Sequence, residues 1–278
     1  MRLKGSILVI GVLVAALLSA CASNPPRSSS ADGTPSAHAV ELPPAGGLPD
    51  YQIGGAYKPT EDVSIVARDK SDEPAPGRYS ICYVNGFQTQ PDELELWDSD
   101  LLLSKSRERL VDPEWPDEVL IDTSTGDKRE RVFDTVSPWI RECAEAGFDA
   151  IEFDNFDSFT RSQKAIDIDD NAALASNYVE LSHRLGLAVG QKNAAEFSRT
   201  LHDEVGFDFA VAEECSAFRE CGEYSRVYGQ AVIDIEYTDN LPRDWGEICE
   251  DPETPDSAVL RDRNLAVADS PKHIARHC

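Results

Sequence analysis

Two acids stand where apolar runs end: Asp154 in AIEFDN (150–155) and Glu213 in FAVAEE (209–214). Asn155 follows the first and Glu214 the second, while Gln191, Lys192 and Asn193 close LAVGQKN (187–193). Two carboxyls on separate strands, with amides and an ammonium beside them, can split a glycosidic bond. One protonates the leaving oxygen, and the other attacks the sugar or activates water. Neighbours on a strand point to opposite faces, so Glu214 stands as an alternative to Glu213. A serine or cysteine nucleophile lacks support: there is no GxSxG elbow, and His183 and His202 fall in helix-like stretches away from the acids. No CxxC pair exists and the histidines are scattered, so neither a metal nor a cofactor is expected. A divalent-metal site would have to draw on Asp69, Asp122, Asp154 and Glu236, acids without a tight ligand motif.

The segments that carry these residues set the geometry. Strand-like runs occur at 51–55, 63–69, 79–85, 118–124, 150–155, 187–193, 209–214 and 231–237, rich in β-branched and aromatic residues and free of proline. A ninth run, 258–267, leaves the count open by one. RERVFDTVSPWIRECAEAG repeats Val132, Val136, Ile140 and Cys143 at helical spacing, and DDNAALASNYVELSHRLG aligns Leu174, Tyr178 and Leu181 between capping aspartates and Gly186. Strand alternating with helix predicts an α/β fold with a parallel sheet, and eight strands fit a single-domain (β/α)8 TIM barrel. Polar residues gather at the C-terminal ends: Asp69, Asn85, Asp122, Asp154 with Asn155, Lys192 with Asn193, Glu213 with Glu214, and Glu236 with Tyr237. In a parallel barrel those ends share one face, where active sites are built. Tyr51, Tyr83, Trp97 and Tyr237 could add aromatic faces for sugar rings.

Residues 1–20 read as a secretory leader, with Arg2 and Lys4 before ILVIGVLVAALL, ending in LSAC. The ending resembles a bacterial lipobox, which would place lipid on Cys21 and make the chain an exported, membrane-anchored lipoprotein or an extracellular protein. A Ser-, Pro- and Gly-rich tether, 21–49, precedes the domain at 50–278. Six further cysteines in an exported chain suggest disulfides, and Cys215 with Cys221 is the pair close enough for a local bridge. A net charge of −25 repels nucleic acid and anionic membrane and attracts cationic ligands. Membrane contact is expected only through lipid on Cys21, and a monomer is expected.

YQIGGAY, GFDAIEFDNFD, VGQKNAAE, FAVAEECSAFRECGEY and VIDIEY, in this order, resemble glycoside hydrolase family 114, whose type enzyme is an endo-α-1,4-polygalactosaminidase. The resemblance implies a (β/α)8 barrel with Asp154 and Glu213 as the catalytic carboxylates. It implies family roles for Lys192, Asn193, Glu236 and Tyr237 and a Cys215–Cys221 cysteine pair, and the residues themselves add Tyr51, Asp122, Asn155 and Glu214 to the expected substrate contacts. It departs at CYVNGFQTQPDELELW (82–97) and at LIDTST, which lacks the family's arginine, so substrate preference is less well supported than the reaction. The expected partner is a polysaccharide, a cationic amino-sugar polymer. A carbohydrate-binding surface lipoprotein on the same barrel, without catalysis, is the alternative.

Overall fold

The computed structural model describes residues 40–278. The leader, Cys21 and nearly all of the tether lie outside them. Eight parallel strands run in sequence order around the sheet: β1 (Leu48–Gln52), β2 (Val63–Asp69), β3 (Tyr79–Asn85), β4 (Ala150–Asp154), β5 (Ala188–Lys192), β6 (Phe209–Glu213), β7 (Val232–Tyr237) and β8 (Ser257–Arg261). A short ninth strand, β9 (Ala275–His277), runs antiparallel to β8. The seam between β8 and β1 is stitched by one buried side chain. Arg261 donates to the Asp50 carboxylate at 3.1 Å and to the carbonyls of Tyr51, Ile274 and Ala266.

Alternation divides the core in two. Inward-facing Tyr51, Ile65, Ile81, Phe209, Val211, Ile233, Ile235 and Val259 fill the barrel, while outward-facing Cys82, Val84, Ile151, Phe153, Val189 and Ala212 pack beneath the helices. Gly190 on β5 is forced by this interior. A Cβ there would come within 2.8 Å of the Phe209 ring, so only glycine leaves the ring its place.

Both main helices form as their spacing requires. Helix α1 (Gly126–Ala146) is capped by Thr125, buries Val132, Val136, Ile140 and Cys143, and stops at the left-handed Gly147. Helix α2 (Ile168–Leu185) starts from a reciprocal Asp167–Asp170 capping box and stops at Gly186. Shorter turns of helix link β5 to β6 and β6 to β7, whereas β1, β2 and β3 are joined by turns alone.

One strand assignment needs correction. Residues 118–124 are not a barrel strand: Val119, Leu120 and Ile121 make single antiparallel bridges to Val111, Gln88 and Leu102. Asn85 of β3 pairs directly with Asp154 of β4, which leaves no gap for a strand between them. The eighth strand comes from the ninth run, at Ser257–Arg261. Disulfides join Cys82 of β3 to Cys143 of α1, Cys215 to Cys221, and Cys249 to the terminal Cys278.

Candidate active site

Three adjacent strands end alike. Asp154, Lys192 and Glu213 each close a strand facing the barrel axis, and each is followed by a residue in the left-handed region: Asn155 (φ 62°), Asn193 (φ 52°) and Glu214 (φ 61°). Asparagine tolerates that conformation, and glutamate adopts it only under constraint. The turn breaks the alternation, so the residue after the strand also faces the opening. Glu213 and Glu214 therefore both line the cavity, where a continuing strand would have sent one of them outward.

Lys192 is the centre. Its side chain is only 1% exposed, and Nζ lies 3.2 Å from Asp154 Oδ1 and 3.3 Å from Glu213 Oε2. Nζ also donates to the Tyr51 hydroxyl at 3.0 Å, which donates in turn to Glu152 Oε1 at 2.7 Å. Asp154 accepts from the Tyr83 hydroxyl at 2.7 Å and from the Asn155 N–H at 2.6 Å. Glu213 accepts from the Tyr237 hydroxyl at 2.5 Å and from Asn193 Nδ2 at 3.1 Å.

Charge follows from these contacts. Burial pushes the Asp154 carboxyl up, but the Lys192 ammonium, the Tyr83 hydroxyl and the Asn155 N–H outweigh it and hold the group below the usual carboxylate range. Glu152 is buried deeper, and burial prevails over Lys192 and Tyr51, raising its carboxyl to about 7. Burial opposes the charge on Lys192, yet Asp154, Glu213 and Glu152 around it keep it firmly protonated.

Asp154, Lys192 and Glu213, with Tyr51, Tyr83 and Tyr237, line a cavity of about 1090 Å³. Nine acids line it (Asp112, Glu114, Glu118, Asp154, Asp157, Glu196, Glu213, Glu214 and Glu220) against three bases, Arg161, Lys192 and Arg263. Every one of those bases is engaged by acids, Arg161 by Asp112 and Asp157, and Arg263 by Glu214 and Asp239. The open volume thus sees uncompensated negative charge. Trp115 and Phe218 stand at the cavity 50% and 61% exposed, apolar faces left to solvent.

Of the residues singled out in the sequence, Tyr51, Asp154, Asn155, Lys192, Asn193, Glu213, Glu214 and Tyr237 all line this cavity. Asp122 and Glu236 do not. Asp122 lies before α1, holding Ser124 and Lys128. Glu236 points away from the axis, accepts from the Ser216 N–H at 2.7 Å, and sits beside Asp234 behind the barrel wall. The metal quartet of Asp69, Asp122, Asp154 and Glu236 consequently does not assemble. Trp97 is buried in the outer core rather than at the opening. Sequence reasoning gave no site role to Glu118, Arg263 and Trp115, carried on loops, to Arg161 and Phe218, carried on the short helical turns Phe156–Arg161 and Cys215–Phe218, or to Glu152. The last had a signal, since it shares its strand face with Asp154 two residues on.

The family model for glycoside-hydrolase family GH114 matches residues 30–278. The chain belongs to family GH114. It is a glycoside hydrolase of that family, and its barrel is shared by solved structures of low identity. Aspergillus fumigatus Ega3, in complex with galactosamine, superposes with a TM-score of 0.69 at 18% identity, over 86% of this chain and 98% of that one. The glycoside hydrolase domain of PelA from Pseudomonas aeruginosa superposes at 0.53 with 12% identity, over 83% of this chain and 99% of that domain. No curated protein sequence matches the chain.

Proposed function

We propose that this GH114 hydrolase cleaves α-1,4-linked galactosamine-type polysaccharide, with Asp154 as nucleophile and Glu213 as proton donor and then base. The supporting observation is the single buried ammonium that touches both carboxylates in one acidic cavity. Since Nζ reaches both, their nearest oxygens can stand no farther apart than the two contacts laid end to end, about 6.5 Å, the lower edge of the inverting range. Carboxylates that share one ammonium lie close enough to act on one linkage, and double displacement with retention is the course proposed for it. Asp154, held ionised by Lys192, Tyr83 and Asn155, suits the attacking role. Glu213 has the more exposed side chain, 26% against 16%, which suits exchange of a proton with leaving group and water.

A surplus of cavity acids favours a polymer whose amino groups are free and cationic. The Ega3 structure holds galactosamine, a sugar of that class. Export with lipid on Cys21 belongs to the same reading: a tethered enzyme would act on polymer outside the cell. Incubating the purified domain with partly deacetylated α-1,4-galactosamine polymer should release reducing ends of α configuration, seen by NMR. Binding without new reducing ends would favour the non-catalytic reading, and initial β product would refute retention.

A further inference from the structure

Five of the nine cavity acids flank Lys192 or pair with arginine, and Glu114, Glu118, Glu196 and Glu220 do neither. Of these four, Glu118 is the one whose carboxylate is held by side-chain hydrogen bonds. It lies on the excursion between β3 and α1, next to the barrel opening, and lines the cavity. Two buried amides behind it fix one oxygen: Oε2 accepts from Asn85 Nδ2 at 3.2 Å and from Gln88 Nε2 at 3.0 Å. Both amides are themselves held. Asn85 Oδ1 accepts from Asn155 Nδ2 at 3.0 Å, and Gln88 Oε1 accepts from Arg161 Nε at 2.9 Å. Asn155 in turn gives its backbone N–H to Asp154. The Glu118 carboxylate is therefore oriented through two amide side chains from the residue assigned to attack the sugar. No lysine or arginine among the described residues pairs with Glu118, and its Oε1 carries no hydrogen bond.

We propose that Glu118 is the residue that reads the substrate's amino group, accepting the ammonium of a galactosamine unit bound next to the cleavage point. The inference rests on the hydrolytic reading above and deepens it. A carboxylate held rigidly by neutral donors, with one oxygen unengaged and no cation supplied by the protein, matches a ligand cation of one charge. N-acetylation would remove that charge and set an amide carbonyl or methyl against a carboxylate, so discrimination is built in. The groups acting on Glu118 are Asn85 and Gln88 from the β3 side, Asp112 from its own loop and Asp154 at the end of β4, with Arg161 bonded to Gln88 and paired with Asp112. Burial first, then Asp154 and Asp112, push the Glu118 carboxyl up to about 7 against the two amides. Below that pH the free site holds a proton that an incoming ammonium must displace. Affinity for the amino sugar should consequently weaken as pH falls through 7, an effect absent from N-acetylated sugar.

Calorimetric titration at pH 7.5 with galactosamine and N-acetylgalactosamine oligosaccharides, on wild type and Glu118→Gln, tests this. Wild type should prefer the free amine by about tenfold and release protons on binding at pH 6.5. Glu118→Gln should lose the preference and the proton release while keeping its Tm and its affinity for the acetylated oligosaccharide. Glu118→Ala should lose the preference likewise, at a lower Tm because the buried Asn85 and Gln88 amides lose their acceptor, which separates the charge from those hydrogen bonds. A preference that survives in both variants, or none in wild type, overturns the assignment. Reducing-end release is read separately: binding preference without cleavage would fell the hydrolytic reading and leave the amine site standing.

Discussion

Replacing Lys192 by methionine keeps most of its volume and removes the one charge that reconciles three acids. At 3.2 Å and an effective dielectric near 20, its attraction to Asp154 is worth about 5 kcal/mol, and the contact with Glu213 at 3.3 Å is similar. Divided by 1.36 kcal/mol per unit, the first contact alone accounts for a shift of roughly three to four pKa units, of which relaxation and water entry will recover part. Without it, burial prevails and the Asp154 carboxyl rises from below its ordinary value toward neutrality. A protonated Asp154 cannot attack, so Lys192→Met should lower kcat/KM at pH 6 by about tenfold through protonation alone. The acidic limb of the pH profile should move up by at least about two units. Stability should suffer too, by about 3–5 kcal/mol at pH 7, because removing one partner leaves buried charge uncompensated. The sign follows from the depressed Asp154: its favourable contribution exists above the unfolded carboxylate pKa and vanishes as pH falls through the folded one. The Tm deficit of the variant should shrink toward pH 4, because there the raised Asp154 carboxyl of the variant takes up its proton, and shrink further below it as wild type loses its own contribution. The assay is kcat/KM against pH with Tm at each pH. A wild-type acidic limb in Lys192→Met would refute the reasoning.

Phe218→Ala should raise KM about two- to fivefold with kcat nearly unchanged, since an exposed aromatic face over a cationic sugar is worth about 0.5–1 kcal/mol; an equal fall in kcat would place it elsewhere in the reaction. Glu236, raised to about 7 by burial beside Asp234, stabilises fully below its unfolded pKa and loses that contribution as pH rises through 7, so wild-type Tm should fall between pH 5 and 8 and Glu236→Gln should flatten the fall. The opposite slope in circular-dichroism melts would contradict the buried pair. Replacing Cys82 and Cys143 together by serine should cost about 2–5 kcal/mol in denaturant unfolding while leaving activity at 25 °C, because the bridge ties β3 to α1 outside the cavity.

The strand ends were legible because period two and period 3.6 both leave clean marks: β4 to β7 and both long helices stand where alternation and spacing put them. Segment 118–124 misled because its β-branched residues do pair, as isolated antiparallel bridges in a loop, and composition does not distinguish a bridge from a barrel ladder. Glu236 was a readable error. Ile233, Ile235 and Tyr237 face inward, and the residue beside Tyr237 must then face out. Glu214 shows the converse, reaching the cavity through a left-handed backbone that no sequence pattern announces. Glu118 arrives on a loop, and Arg161 and Phe218 at the ends of short helical turns after β4 and β6, where position depends on tertiary packing.

Activated oligosaccharide substrates separate the two carboxylates most directly. On an aryl α-glycoside of galactosamine oligosaccharide with a good leaving group, Glu213→Gln should form its glycosyl-enzyme at a rate near wild type while losing at least about a thousandfold on polymer. Asp154→Asn should lose that much on both, with each variant folded and melting within a few degrees of wild type. Near-normal polymer turnover in either variant, or an Asp154→Asn enzyme that still cleaves the aryl substrate, would contradict the pairing of these two residues across one linkage.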